Sequence, residues 1–211
     1  MHNGRPGDQN ATPMHNGRGC GYGRAVSETG PAAVTLVAVD DDVLERLVLA
    51  ATTDAAPDDV TPPLTPRDGW SPARLRWLRA YHRDRRAGVD GPHGEATRAI
   101  VVAGVVAGAV RWQRTTEPGA FEVGIWLRRS ARGRGVAKAA VAAAAREAAG
   151  AGAQVVVART TAANTSALGV LRGLGFATAP ADPDGGVRAT WQVNAGPGHP
   201  AAPGPSVPPG P

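Results

Sequence analysis

A glycine- and arginine-rich turn stands between an apolar segment and an alanine-rich segment in the stretch Phe121–Ala149. Its six residues are Arg132-Gly133-Arg134-Gly135-Val136-Ala137. A turn that leads into a helix leaves the first main-chain N–H groups of that helix unpaired, at the positive end of the helix dipole. Glycine at 133 and 135 lets a ligand approach the main chain closely and tolerates a positive φ angle. We therefore predict that this turn binds the phosphates of an anionic ligand.

Positive charge surrounds the turn without an intervening acid, since its basic residues are Arg128, Arg129, Arg132, Arg134 and Lys138. This charge suits a pyrophosphate with an extra ribose phosphate, as in coenzyme A, better than a neutral ligand. A nucleic-acid-binding arginine-glycine tract would be long and structureless, whereas this motif is short and lies between strand and helix patterns. A dinucleotide-binding loop needs a third glycine where Lys138 stands. A purely structural strand-to-helix turn stays open as the alternative.

The same six residues fit the pattern Q/R-x-x-G-x-G/A, which resembles the acetyl-CoA pyrophosphate loop of the GNAT N-acetyltransferase superfamily. A second stretch, Arg159–Phe176, is similar to that superfamily's fifth strand and fourth helix. Ser166, the GIWL sequence at 124–127 and the leucine at 171, where many members have a tyrosine, resemble the branch of ribosomal-protein alanine N-acetyltransferases. The resemblance covers about residues 34–193 and is strong over 121–176. It implies an α/β GNAT fold, a mixed twisted sheet of about six to seven strands with helices on both faces and a splayed central strand pair.

The resemblance also implies site residues. Main-chain groups near the end of the strand Phe121–Leu127 would pair with the arm of acetyl-CoA, which serves as co-substrate. Glu122 would accept the proton of the amine, and it shares a strand face with Gly124 and Trp126; an exposed or ion-paired role for Glu122 stays equally open. The implied cofactor-binding residues are Ile125, Trp126, Leu127, Arg132, Gly133, Arg134, Gly135, Val136, Ala137 and Asn164.

Asn164 and Ser166 also suit the start of a helix, where their side chains accept from free N–H groups. Many superfamily members carry a tyrosine that protonates the departing thiolate, but Leu171 stands at that position here. Two functions follow: transfer of acetyl to a primary amine of a small molecule or protein N-terminus by direct attack in a ternary complex, or a non-catalytic acyl-CoA sensor. The acceptor stays unassigned, and a homodimer stays open.

The remaining elements follow an order typical of such a transferase. A capping box at Asp42 and Glu45 predicts a helix start, and Ser71-Pro72 predicts another. Ala103-Gly104 suits the turn of a hairpin. The predicted elements are strands at Val34–Val39, Ala99–Val102, Val105–Gln113, Phe121–Leu127 and Gln154–Ala158, helices after Asp42, Ser71, Gly135 and Asn164, and a final strand pair that turns at Asp182–Gly186.

Composition predicts one domain with two tails. Residues 1–30 and 196–211 are rich in glycine, proline or asparagine, so we expect disordered tails around a domain at 31–195. MHNGR occurs at Met1 and again at Met14, so either could be the start. The sequence shows no membrane span and no secretory pattern, which makes the cytoplasm the expected location. Cys20 stands alone, and the scattered histidines predict no metal site.

Charge is distributed unevenly along a chain whose formal net charge is +5. Six arginines between Ser71 and Gly88 fall at spacings that match the solvent face of a helix, so we expect a solvated face rather than a nucleic-acid surface. Acidic residues concentrate around the first helix, and they would attract a cationic amine unless they serve as caps and solvated loop residues. The arginines are Arg74, Arg76, Arg79, Arg83, Arg85 and Arg86. The acidic residues are Asp40, Asp41, Asp42, Glu45, Asp54, Asp58 and Asp59.

Overall fold

A computed structural model describes residues 33–64 and 69–193 of the chain. Both predicted tails lie outside the described residues. The described part forms a seven-stranded sheet in the order β1-β2-β3-β4-β5-β7-β6. The strands are β1 Val34–Ala38, β2 Glu95–Val102, β3 Val105–Arg114, β4 Ala120–Leu127, β5 Val155–Thr161, β6 Ala177–Thr178 and β7 Gly186–Gln192, and the α-helices are α1 Asp41–Asp54, α2 Pro57–Val60, α3 Pro72–Asp84, α4 Val136–Gly150 and α5 Thr165–Gly173.

The sheet is mixed, because β4 and β5 run parallel while the other described pairs are antiparallel. A parallel pair needs a crossover connection, and the chain supplies it with α4. Helices pack on both faces of the sheet. The predicted fold class, an α/β sheet of six to seven strands with helices on both faces, is confirmed.

Alternation along β4 divides the core into two layers. Phe121, Val123 and Leu127 lie in the cluster that α4 covers with its alanines and valines. Trp126 packs against the other cluster, where α1 and α3 meet β2 and β3. The small side chains of α4 let its backbone approach the sheet closely. The Glu122 face of β4 is therefore the α1 and α3 face.

The helix starts are set by side chains that accept hydrogen bonds. The Ser71 hydroxyl accepts from the Arg74 N–H at 3.3 Å, and the Asn164 carbonyl accepts from the Ala167 N–H at 3.0 Å, so both predicted starts are confirmed. The predicted capping box at Asp42 and Glu45 was wrong. Asp40 caps α1, because its Oδ1 accepts from the Val43 N–H at 2.8 Å and its backbone is extended.

The hairpin between β2 and β3 turns at Ala103-Gly104 as predicted. Both residues have positive φ angles, 48° and 79°, which is the conformation of a type I′ turn. β2 begins at Glu95, four residues before the predicted Ala99. The extra residues matter, because Glu95 carries a buried carboxylate onto the α3 face of the sheet.

The arginines of α3 do not form a free solvated face. Arg74 is 2% exposed, and its guanidinium donates to Thr61 Oγ1 at 2.8 Å and to Asp58 Oδ1 at 2.6 Å. The expected solvent-facing position of Arg74 was therefore wrong. The reason is the short helix α2, which brings Thr61 and Asp58 over α3 in a segment that the sequence predicts as a loop.

None of the helices in the described ranges combines the length and apolar character needed to cross a membrane.

Candidate functional site

The central strands β4 and β5 separate partway along their length. Their pairing runs from Ala120 with Val155 to Val123 with Ala158 and goes no further. β4 continues to Leu127 along β3, and β5 continues to Thr161 along β7. The predicted splayed pair is thus present, and we call the opening beyond Val123 and Ala158 the split.

Main-chain donors of β4 point into the split. The Arg128 N–H donates to the Ala107 carbonyl at 2.9 Å, on the β3 side. Because alternate residues of an antiparallel strand point their N–H and C=O groups to opposite sides, the groups of Ile125 and Leu127 point away from β3. Beyond Val123 no described strand pairs with that side. Ile125 is 36% exposed, so this edge is open to a ligand.

The glycine-containing turn opens at the same end of β4. Gly133 and Gly135 have φ angles of 71° and 77°, which disfavour residues with a Cβ. A Cβ at either position would meet no atom within 4 Å, so the space above the turn is free. Gly135 precedes α4 and makes no side-chain cap, which leaves the first N–H groups of the helix, those of Val136, Ala137 and Lys138, without intrahelical partners.

Some charged side chains of this turn are exposed without an ion pair to a described residue, and others bind neighbouring protein groups. Arg134 and Lys138 are exposed, and they have no ion pair among the described residues. Arg132 instead turns back onto β4: its Nη2 lies 2.9 Å from the Leu127 carbonyl oxygen and 2.7 Å from Asp59 Oδ2. This contact fixes the end of β4 against the turn.

Acidic residues at the end of α1 and just beyond it also hold the turn. Asp54 Oδ2 accepts from the Ser130 N–H at 3.0 Å and lies 3.5 Å from Arg128 Nε. Hydrogen bonds from the Ser130 side chain and main chain, helped by Arg128, lower the pKa of Asp54. Asp54, the last residue of α1, and Asp59 of α2 therefore join these helices to the loop that precedes α4.

Asn164 lies across the split, at the start of α5. Because β4 and β5 are parallel, their C-terminal ends reach the same edge of the sheet, so Asn164 and the glycine turn flank the same opening. The Asn164 Oδ1 atom serves as the N-cap. Its side-chain NH₂ group stays available as a donor.

Glu122 lies at the base of the split with both carboxylate oxygens engaged. Oε1 accepts from Arg111 Nη2 at 3.1 Å, and Oε2 accepts from Arg159 Nε at 3.0 Å. The Glu122 side chain is 16% exposed. Two guanidinium groups therefore fix the position of the carboxylate. Glu122, the predicted catalytic residue, is thus an ion-paired carboxylate at the base of the split.

A chain of charges extends from Glu122 to α3. Arg111 lies across Gly124, where a Cβ would come within 2.9 Å of its Nε, and reaches Glu95 Oε1 at 3.6 Å. Glu95 also binds Arg85 and accepts from the Tyr81 hydroxyl at 2.5 Å. Burial, followed by the Glu95 carboxylate, raises the pKa of the Tyr81 phenol. Glycine in the middle of a strand is thereby explained by the arginine that passes over it.

Local sequence patterns did not indicate that Arg111, Glu95 and Arg159 belong to the site. They lie on three different strands, so their meeting depends on strand register and not on spacing along the chain. The available signal was a charged residue inside each otherwise apolar strand pattern.

The acidic residues around α1 are mostly engaged by arginines. Asp41 pairs with Arg86 at 2.9 Å and with Arg83 at 3.2 Å, and hydrogen bonds from these two arginines lower its pKa. Glu45 pairs with Arg79 at 2.7 Å. These contacts neutralise the cluster that the sequence offered as an attractor for a cationic amine.

Comparison with known proteins identifies the family. Residues 56–176, which include the split, the glycine turn and α5, match the model of the acetyltransferase (GNAT) family. The chain belongs to the GNAT acetyltransferase family. None of the curated proteins is significantly similar to this chain in sequence.

Solved GNAT structures share the fold at low sequence identity. The GNAT domain of PAT from S. lividans is 22% identical, with a TM-score of 0.56 over 77% of this chain and 90% of that chain. RimL, a ribosomal L7/L12 α-N-protein acetyltransferase solved with coenzyme A, is 15% identical, with a TM-score of 0.59 over 77% and 96%. MccE, a microcin C7 self-immunity acetyltransferase solved with acetyl-CoA and AMP, is 13% identical, with a TM-score of 0.57 over 76% and 92%.

Leu171 departs from the pattern of many GNAT members. It is 5% exposed and belongs to the core cluster that also contains Phe176. A tyrosine at this position would have to displace packed core atoms before its hydroxyl could reach a ligand. This GNAT chain therefore has an apolar packing residue where the resemblance places a general acid.

Proposed function

We propose that the protein is an acetyl-CoA-dependent N-acetyltransferase that acetylates a primary amine of a small molecule or a protein N-terminus. One observation carries the proposal: the split between β4 and β5 opens at the same sheet edge as the glycine turn before α4. The first feature offers main-chain groups for an extended arm, and the second offers free N–H groups for phosphates. A ligand with a pyrophosphate joined to an extended thioester arm matches both.

The residues present fit coenzyme A. Its pyrophosphate would lie on the N–H groups of Val136 and Ala137, next to the exposed Arg134, with Gly133 and Gly135 leaving room for the phosphates. Arg132 would contribute through its Nη1 atom, which makes no hydrogen bond within residues 33–64 and 69–193.

The thioester arm would follow β4 into the split. The Ile125 carbonyl and the Leu127 N–H would pair with its amides, and Trp126 between them would anchor the strand through its packing on α1 and α3. The Asn164 NH₂ group would donate to the arm from the α5 side. This arrangement brings the thioester towards Val123, next to Glu122.

The transfer would proceed by direct attack. The amine nitrogen forms a bond to the thioester carbonyl carbon, the carbon–sulfur bond then breaks, and the sulfur leaves as a thiolate that takes a proton from water. The N–H of Ile125 would donate to the oxyanion. Glu122 accepts the amine proton, directly or through one water. Holding both reactants in place supplies much of the rate, on the order of 7 kcal/mol or more in favourable cases.

A non-catalytic acyl-CoA sensor is the second candidate. The observation that favours it is Leu171, a buried core residue in place of the usual general acid. A sensor would use the same turn and split but would not turn over acetyl-CoA in the presence of any amine.

Release of free thiol from acetyl-CoA in the presence of a panel of amines tests both candidates. The enzyme predicts amine-dependent thiol release and an acetylated product by mass spectrometry. Glu122→Gln should lower kcat by about 100-fold, the usual effect of losing a general base, while Glu147→Gln on the α4 face should not change it. Binding of acetyl-CoA without release for any amine would favour the sensor. Full activity of Glu122→Gln would contradict the assignment of Glu122 as the general base but would leave the proposed function standing.

A further inference from the structure

Two arginines stand directly opposite each other on β5 and β7. Arg159 is the register partner of Arg188. Glu122 pairs with Val157, two residues before Arg159, so alternation puts Glu122 and Arg159 on the same face of the sheet. Like charges directly opposite each other destabilise an antiparallel pair. Fold stability alone therefore does not favour this arginine pair.

Arg159 lies at the mouth of the split. The last paired residue of β5 is Ala158, so Arg159 is the first residue of β5 beyond the point where β4 leaves. Its Nε lies 3.0 Å from Glu122 Oε2. The Arg159 guanidinium is consequently a direct neighbour of the group proposed to take the amine proton.

Donors of both guanidinium groups remain available. The Arg159 side chain is 66% exposed, and its two terminal nitrogens make no hydrogen bond to any described residue. Arg188 Nη2 binds Glu117 Oε2 at 2.6 Å, and its Nη1 makes no hydrogen bond to a described residue, while its Nε is buried. A guanidinium has five N–H donors in a planar fork that matches carboxylate and phosphate oxygens.

Positive charge exceeds negative charge at this place. Among the described residues, Arg159 belongs to an ion-pair network of three arginines and two glutamates, Arg85, Arg111, Arg159, Glu95 and Glu122. Arg188 pairs separately with Glu117. One positive charge is thus left over next to the split. Asp41 and Glu45 of α1 are engaged by arginines and offer little attraction to a cation.

We infer that the acceptor carries an anionic group, a carboxylate or a phosphate, within a few bonds of its amine, and that Arg159 with Arg188 binds this group. The inference rests on the proposed function and narrows its acceptor. The anion would lie across the two guanidinium groups, and the amine would then reach the thioester beside Glu122. A neutral or purely cationic amine would gain nothing from this pair.

Matched acceptors test the inference through acetyl-CoA turnover. The pairs are serine and serinamide, and phosphoethanolamine and ethanolamine; two amidated peptides, Ser-Asp-Ala and Ser-Asn-Ala, test whether the anion can come from a protein N-terminus. We expect kcat/KM to be at least tenfold higher for the anionic member of one pair or more, chiefly through KM. The pair or pairs that respond identify the source of the anion.

The two amines of a pair also differ in intrinsic reactivity. Comparing their kcat/KM ratio between the wild type and arginine variants cancels this difference. The ratio of kcat/KM values within a responding pair should fall at least fivefold in Arg159→Gln and in Arg188→Gln. It should stay at the wild-type value in Arg146→Gln, which removes an exposed arginine from α4.

Two results would overturn the inference. Turnover of neutral amines with a ratio that neither variant changes would overturn the anion subsite and leave the proposed function standing. Absence of turnover with every amine would overturn both, and the two failures are therefore distinguishable.

Discussion

Lowering the pH from 7 to 5 should destabilise the protein through one buried histidine. His82 of α3 is 2% exposed. Its Nδ1 lies 3.1 Å from Thr97 Oγ1, and its Nε2 has no hydrogen-bond partner among the described residues. Burial, with a smaller effect of the nearby Arg85, lowers the pKa of His82 to about 4, against 6.5 for a free histidine, although Glu95 acts in the opposite direction.

The direction of this change in stability follows from proton binding to the folded and unfolded chains. Between pH 6.5 and 4 the unfolded chain binds a proton at His82 and the folded chain does not, so the folded state loses stability as the pH falls. One pKa unit corresponds to about 1.4 kcal/mol. With folded and unfolded pKa values of about 4 and 6.5, the loss between pH 7 and pH 5 is about 2 kcal/mol.

Urea unfolding at pH 7, 6 and 5 measures this loss. The wild type should lose about 2 kcal/mol more than His82→Gln over this range, because the variant has no group that titrates at this site. His93→Gln, which replaces an exposed histidine, should keep the wild-type pH dependence. Equal pH dependence in the wild type and His82→Gln would refute the reasoning.

Three further predictions concern stability, all measured by urea unfolding at pH 7. Asp40→Ala should cost about 1 kcal/mol because Asp40 caps α1, whereas Asp42→Ala should cost much less; equal costs would contradict the cap assignment. Ala103→Asn should stabilise the hairpin by about 0.5 to 1 kcal/mol, because asparagine tolerates a positive φ better than alanine does, and a loss of stability would count against the turn type. Arg74→Ala should cost about 2 to 3 kcal/mol through lost buried contacts, whereas Arg76→Ala should change stability by less than about 0.5 kcal/mol; similar values for the two variants would contradict the burial of Arg74.

Features fixed by short stretches of sequence were predictable. The Ser71 and Asn164 caps and the Ala103-Gly104 turn each depend on a few adjacent residues, whose conformational preferences act locally. The order of strands and helices also followed from local apolar patterns, as did the glycine turn before α4. The family resemblance then placed the split, which local pattern alone would not have located.

Features that depend on packing between distant residues were not predictable. Helical spacing put Arg74 on the solvent face, but α2 folds over that face and buries it. Asp42 has the spacing of a capping box, yet the chain enters α1 at Asp40, whose extended backbone and side chain suit the cap. The ion pairs of Glu122 with Arg111 and Arg159 depend on the register of three strands.

Calorimetric titration of acetyl-CoA tests the central claim most directly. Gly135→Asp puts a negative charge at the turn before α4, and Gly152→Asp makes the same change beyond the other end of that helix, at a glycine that also has a positive φ and free space around it. We expect micromolar binding to the wild type and to Gly152→Asp, and binding at least tenfold weaker to Gly135→Asp. Equal affinities for the two variants, or no binding to the wild type, would contradict that claim.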